Sequence, residues 1–435
     1  MTKKISLTAT TIFFLATSVW AQISDAEQAL VDTIDERREY ALELLERTVN
    51  INSGSMNFDG VRQVGQVFMD EFKKLNMDVE WIDGSAFSRA GHVIARSGSS
   101  GPHILMIGHL DTVFEPESPF QRFKRVSDTE ATGPGIIDMK GGNVIILEAL
   151  NALRESDLLD QLTITVLLIG DEESSGRPFS LSRKHLIDAA DAADIALGFE
   201  DGDGNPGTAV IARRGYTDWT LSVTGQPAHS SQIFRDDIGY GAVYETARIL
   251  NAFRESLAGE PNLTFNPGLI LGGTTVEHDT DNKRGKAFGK SNVIAEFTTV
   301  AGDLRTLSLE QLERAKETMR DIVSQSLTGT NASIEFSDGY PPLGPTSGNR
   351  QLLSLLDQIS QDLGAGPVKA VDPARAGAAD ISFTAGRVDR ALDGLGLMGD
   401  FGHTVEETAD LTTLPSQTKR AAILLARLAA TYRTN

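Results

Sequence analysis

The sequence contains no cysteine. That excludes disulfides, thiolate nucleophiles and sulfur-ligated metal in one stroke. Basic residues are scarce as well: 40 Lys and Arg stand against 60 Asp and Glu, a net charge of −20. Nucleic acid and anionic membrane surfaces are recognised through basic residues, so neither is expected as a partner. Beyond the N-terminus no apolar run approaches the ~20 residues of a membrane-spanning helix. There is no internal repeat and no low-complexity tract. What remains is a chain of 435 residues, more than one compact core holds.

The N-terminus reads "MTKKISLTATTIFFLATSVWAQ". Lys3 and Lys4 precede an apolar stretch that ends in small residues, so residues 1–21 are predicted to be a secretory signal cleaved after Ala21. The mature protein is then secreted, and export without cysteine fits a bacterial periplasm.

Apolar runs alternate with helical patterns through the first half of the chain. "HILMIGH" (103–109), "LTITVLLIGDEE" (162–173) and "ADIALGFED" (193–201) read as buried strands, and "GGNVIILEALNALRES" (141–156) as a helix. This order predicts an α/β catalytic domain whose mostly parallel sheet carries helices on both faces. From about residue 216 the style changes. "WTLSVTG" and "SNVIAEFTTVAGDLR" (291–305) alternate like half-exposed strands, and "GYGAVYETARILNAFRESL" (239–257) and "SLEQLERAKETMRDIVSQSL" (308–327) read as helices. A smaller α+β domain, residues 216–328, is therefore expected to interrupt the catalytic domain, whose parts are 22–215 and 329–435.

The predicted strand ends carry similar residues: His109 and Asp111, Glu172 and Glu173, Glu200, and His403. Asp138 lies in "GPGIIDMKGG", a glycine-flanked loop entering a helix. Singly these are weak signals. His109 with Asp111 reads as a ligand with its orienting carboxylate, a catalytic dyad or a polar strand cap. Asp138 alone suits a helix N-cap, "DEE" a solvated turn, and His403 a surface turn. Jointly they converge, because strands of an open α/β sheet end on one crevice. Two histidines with several carboxylates and no thiolate suit zinc. The number of donors suggests two Zn2+ ions, with Asp138 shared, His109 and Glu200 on one ion, and Glu173 and His403 on the other. Asp111 is then placed to accept the second ring N–H of His109. Glu172, on the opposite side of a strand from Glu173, is the candidate general base for a metal-activated water.

With these motifs in place the chain resembles the co-catalytic di-zinc exopeptidases, the family that includes bacterial glutamate carboxypeptidase and aminoacylase. "GHLDTVF", "GPGIIDMKGG", "GDEESSG", "GFEDG" and "FGHTVEETADL" are similar to its motifs. The resemblance implies the same ligand set, Glu172 as base, a cis peptide after Asp138, and a lid or dimerisation domain where the insertion was read. It implies that "GQPAHSS" is the lid motif, whose histidine, His229, reaches the active site of a second subunit and steadies the oxyanion. It also implies substrate-carboxylate contacts from Asn292 and Arg305. Glutamate at position 200 goes with the carboxypeptidases and acylases of the family. "ARAGAAD" (374–380) departs from the family's glycine-rich loop, lacking the hydroxyl usual before Asp380, and no arginine stands near Tyr340 as a strictly glutamate-specific enzyme requires. The expected function is release of a C-terminal amino acid from a peptide by a homodimeric zinc carboxypeptidase. The alternatives are an N-acyl-amino-acid deacylase with the same centre, and a catalytically silent periplasmic binding protein.

Overall fold

A computed structural model describes residues 23–280 and 284–432. The signal segment, residues 1–21, lies outside the described residues. Among those described, no helix is long and apolar enough to cross a membrane.

The main sheet has six strands in the order Asp78–Asp83, Gly91–Ser97, Thr163–Ile169, His103–His109, Ile195–Gly198, Arg390–Leu392. The last four run parallel, and the first two form an antiparallel edge. Successive strand residues point to opposite faces, and the two cores follow that rule. Ile104, Met106, Ile164 and Val166 pack on one side with helices Gly141–Glu155 and Thr413–Tyr432. Leu105, Ile107 and Leu167 pack on the other with Leu186 and Ala189 of helix Lys184–Ala192. Burial on both faces is why these strands read as unbroken apolar runs.

The second sheet is fully antiparallel, in the order Thr264–Gly273, Phe297–Thr306, Gly215–Gly225, Thr330–Phe336. Leu221, Val223, Val300 and Leu304 pack beneath helices Gly241–Leu257 and Leu309–Ser324. Ser308 caps the second helix, its Oγ accepting from Gln311 N at 3.1 Å. The last strand of this sheet lies past residue 328, and strand Phe297–Thr306 starts after the stretch 291–296. Alternation alone marks neither limit, because a half-exposed strand and the extended loop beside it share one pattern.

Candidate metal centre

Three parallel strands deliver side chains to one edge of the main sheet. His109 ends its strand, while Glu172 and Glu173 follow Ile169, and Glu200 follows Gly198. Asp138 comes from the turn Ile136–Lys140, entered through Gly135 at φ 68°. A Cβ at Gly135 would sit 2.3 Å from Thr112 Cγ2, so the loop needs glycine both for its handedness and for its space. The Asp138–Met139 peptide is cis. His403 arrives from the loop before strand Thr408–Asp410 with a left-handed backbone, φ 64°, a conformation a non-glycine residue holds only where its surroundings impose it.

These residues form two groups that share Asp138. His109 Nε2 lies 2.8 Å from Asp138 Oδ1 and 3.6 Å from Glu200 Oε1. His403 Nε2 lies 2.8 Å from Asp138 Oδ2 and 3.2 Å from Glu173 Oε2. Donors on a tetrahedral ion at ~2.0–2.1 Å are separated by roughly 3.3 Å, and the four separations, 2.8 to 3.6 Å, lie on either side of that value. Each oxygen of Asp138 faces a different histidine, the arrangement a bridging carboxylate needs. A further observation supports the fit: Glu173 Oε1 is buried and has no hydrogen-bond partner among the described residues. Burial and the Asp138 carboxylate push Glu173 up to about 7. Burial, then Asp138 and Glu200, push Asp201 up to about 8. So many acids in one low-dielectric crevice call for cationic charge between them. His109, Asp138, Glu200, Glu173 and His403 are therefore the residues placed to hold metal, in two groups of three that share Asp138.

Glu172 stands apart from both groups. It lines a cavity of ≈ 320 Å³ together with Asp138, Glu200 and His403, and with Gly377, Ala378 and Ala379 of the loop before Asp380. Burial, then the Asp380 carboxylate, raise it well above the usual carboxylate range. Its separation from Glu173 has a different cause from the one the sequence suggests. The strand stops at Ile169, and both glutamates occupy the turn that follows, so loop geometry rather than strand alternation divides them.

Asp111 is buried, but its carboxylate is not the direct partner of His109. The ring Nδ1 lies 3.0 Å from the Asp111 backbone carbonyl and 3.6 Å from Oδ1. The carboxylate instead accepts from Ser55 Oγ at 2.6 Å, Glu172 N at 3.0 Å and Glu173 N at 3.1 Å. One residue thus orients a candidate ligand through its main chain and staples the glutamate turn through its side chain.

His229, Asn292 and Arg305 lie outside this constellation. His229 is exposed and caps the turn Ser230–Gln232, and Ser230 N donates to the Asn292 carbonyl at 3.0 Å. Arg305 is paired with Asp303, Nε to Oδ2 at 2.8 Å, and does not line the cavity. The adjacent Leu304 turns inward to the small domain's core, so Arg305 takes the opposite face of that sheet.

Two residues of the centre escaped the sequence reading. Glu407 accepts from Gly135 N and Ile137 N, both at 3.0 Å, and so braces the loop that presents Asp138. Asp393 accepts from Glu200 N at 3.3 Å and from Arg213 Nε at 2.7 Å. For Glu407 a signal existed, since it lies four residues after His403 in the same motif; nothing local marks Asp393. Glu407→Gln should weaken metal affinity by ~10–100-fold, the usual loss when a residue orienting a ligand is changed. Titration of the metal-depleted variant with Zn2+ would measure this, and an unchanged affinity would refute it.

Comparisons with known proteins follow the same lines. The family described as peptidase family M20/M25/M40 matches residues 105–430. Carboxypeptidase G2 of Pseudomonas sp. (strain RS-16) is 26% identical over 426 residues, 96% of this chain and 95% of that protein. Succinyl-diaminopimelate desuccinylase of Bradyrhizobium sp. (strain BTAi1) is 29% identical over 246 residues, 53% of this chain and 63% of that protein. The crystal structure of aminopeptidase PepT from Bacillus cereus shares the fold, with TM-score 0.67 at 18% identity, covering 90% of this chain and 99% of that one.

Proposed function

The chain belongs to peptidase family M20/M25/M40, metal-dependent hydrolases of peptide and acyl-amide bonds, and on that premise we propose that it is a di-zinc carboxypeptidase releasing a C-terminal amino acid. One observation carries the reading: Glu172 lines a cavity beside two ligand sets joined through Asp138. Bound divalent cations supply Lewis-acid polarisation of a carbonyl and lower the pKa of water. The residues do the rest. Glu172 takes a proton from the attacking water and returns one to the departing amine. The cavity walls and the Asp111-stapled turn keep its carboxyl beside the shared ligand Asp138.

Similarity to carboxypeptidase G2 over nearly the whole chain supports the carboxypeptidase reading. Similarity to a desuccinylase supports the second, an N-acyl-amino-acid deacylase with the same centre. A screen of C-terminally varied dipeptides against N-acyl amino acids separates the two. Cleavage of neither class by the zinc-loaded protein would overturn both and leave a silent binding protein. Export to a periplasm is part of the proposal and rests on the N-terminal sequence alone.

The working form is proposed to be a homodimer joined through the small domain. Phe234, Tyr240, Val243 and Tyr244 are exposed there, and the ring of Phe234 lies 5.4 Å from those of both tyrosines. A contiguous aromatic patch of this kind suits a second copy. It begins just past His229, which a partner would bring to the other active site as an oxyanion donor. His229→Ala should then lower turnover by ~10²–10³, the loss expected for one such donor, with both metals retained. Mixing His229→Ala with Glu172→Ala should restore part of the activity, since one site of each hybrid has both residues intact. No recovery despite demonstrated subunit exchange would exclude action across an interface.

A further inference from the structure

Behind the cavity lies a polar cluster that the proposed function does not use. Arg183, on the sheet face that packs helix Lys184–Ala192, is completely buried. Its Nε donates to Asp380 Oδ1 at 2.7 Å and its Nη1 to Asp171 Oδ1 at 2.7 Å. Its Nη2 donates to the Asp171 carbonyl at 3.0 Å, Ser175 Oγ at 3.0 Å and Tyr340 Oη at 2.8 Å. Asp171 Oδ2 accepts from Gly176 N at 2.7 Å. One guanidinium therefore grips the segment 171–176 at Asp171 and Ser175 and, through Asp380, the end of the loop whose Gly377, Ala378 and Ala379 line the cavity.

This cluster surrounds the main chain of Glu172. The Glu172 N–H donates to Asp111 Oδ1 at 3.0 Å, and its carbonyl accepts from Tyr340 Oη and Ser175 Oγ, both at 3.3 Å. Both hydroxyls are the ones Arg183 holds. The Glu172 carboxylate has no hydrogen-bond partner among the described residues, so its direction is set by its backbone and by packing alone. Stability gives a poor account of such a cluster. Buried ion clusters carry a large desolvation cost, and well-packed apolar replacements are often as stable. Orientation gives a better one, because a planar fork with fixed donor directions holds several acceptors in one geometry where an ammonium cannot.

We propose that Arg183 is a positioning residue for the general base, acting through Asp171, Ser175 and Tyr340 to hold Glu172 in line with the reacting atoms. The proposal rests on the reading of Glu172 as base. Tyr340→Phe removes only the hydroxyl and keeps the ring, which stacks on Tyr216 at 5.6 Å. Arg183→Lys keeps the charge and loses the fork.

The experiment measures kcat, KM and zinc content of both variants on the amide that the screen above turns over fastest. Each variant is then repeated in a Glu172→Gln background. Tyr340→Phe is expected to lower kcat by ~10-fold and Arg183→Lys by up to ~10²-fold, the range a small misplacement of a catalytic group produces. KM should change less than about twofold, with zinc content unchanged, and in the Glu172→Gln background neither change should cost anything more, as for residues acting as one unit. A Glu172→Gln enzyme with undiminished activity would defeat the base reading itself. A Glu172→Gln enzyme of strongly reduced but measurable turnover, beside unchanged kcat in Tyr340→Phe or losses that multiply in the double variants, would overturn the positioning role alone. Should Arg183→Lys fail to fold, Tyr340→Phe still decides.

Discussion

Glu172→Gln is expected to keep its full metal content and to lower turnover by about 10²–10⁴-fold, the contribution of a positioned general base. The change preserves side-chain volume and removes only the capacity to take up a proton. Metal should remain because Glu172 belongs to neither ligand set, whereas Glu173 Oε2 lies 3.2 Å from His403 Nε2. Glu173→Gln is the control and should lose metal. Both variants need zinc analysis beside steady-state kinetics. Metal loss in Glu172→Gln with metal retained in Glu173→Gln would mean that the two roles are exchanged.

Asp138→Ala should be the more damaging to metal binding. Each of the other four candidate ligands serves one group, while Asp138 serves both, its oxygens 2.8 Å from His109 and 2.8 Å from His403. Removing it leaves each group with one histidine and one glutamate. Outer residues that merely orient a ligand cost 10–100-fold in affinity, so losing a shared ligand should weaken both ions by more than ~10²-fold. Activity should fall below detection at micromolar zinc. Isothermal titration of the metal-free variant tests this, and one ion bound with undiminished affinity would show that Asp138 does not bridge. The fold should survive, because the described cores on either face of the main sheet are built of apolar side chains and include none of the candidate ligands.

The candidate ligands were legible in the sequence for a physical reason. Each follows a buried apolar run or a glycine-flanked turn, and parallel strands end on one side of their sheet by topology. His109, Glu173 and Glu200 therefore converge wherever the strands lie side by side, as Thr163–Ile169, His103–His109 and Ile195–Gly198 do. Other roles depend on which atom of a residue points where. Spacing suggested that Asp111 offers its carboxylate to His109, yet the ring meets the backbone carbonyl and the carboxylate takes the glutamate turn. Spacing also set Arg305 at the end of a strand without fixing the face it occupies; alternation along that strand puts it on the face of Asp303, with which it pairs, and it does not line the cavity.

The amino-acid sequence by itself determined the α/β class, the candidate ligands and the absence of thiol chemistry, and it pointed to a smaller α+β insertion whose antiparallel pairing only the structure shows. These follow from periodicity, composition and chain order, which are local properties. Tertiary structure alone decided how the ligands are supported. Glu407 braces a loop some 270 positions earlier, Asp393 holds Glu200, and Arg183 joins Asp171 to Asp380 across the sheet's buried face. A buried charge is tolerable only where partners converge on it from several directions. Convergence is a property of the packed chain, and no periodicity within any one segment records it.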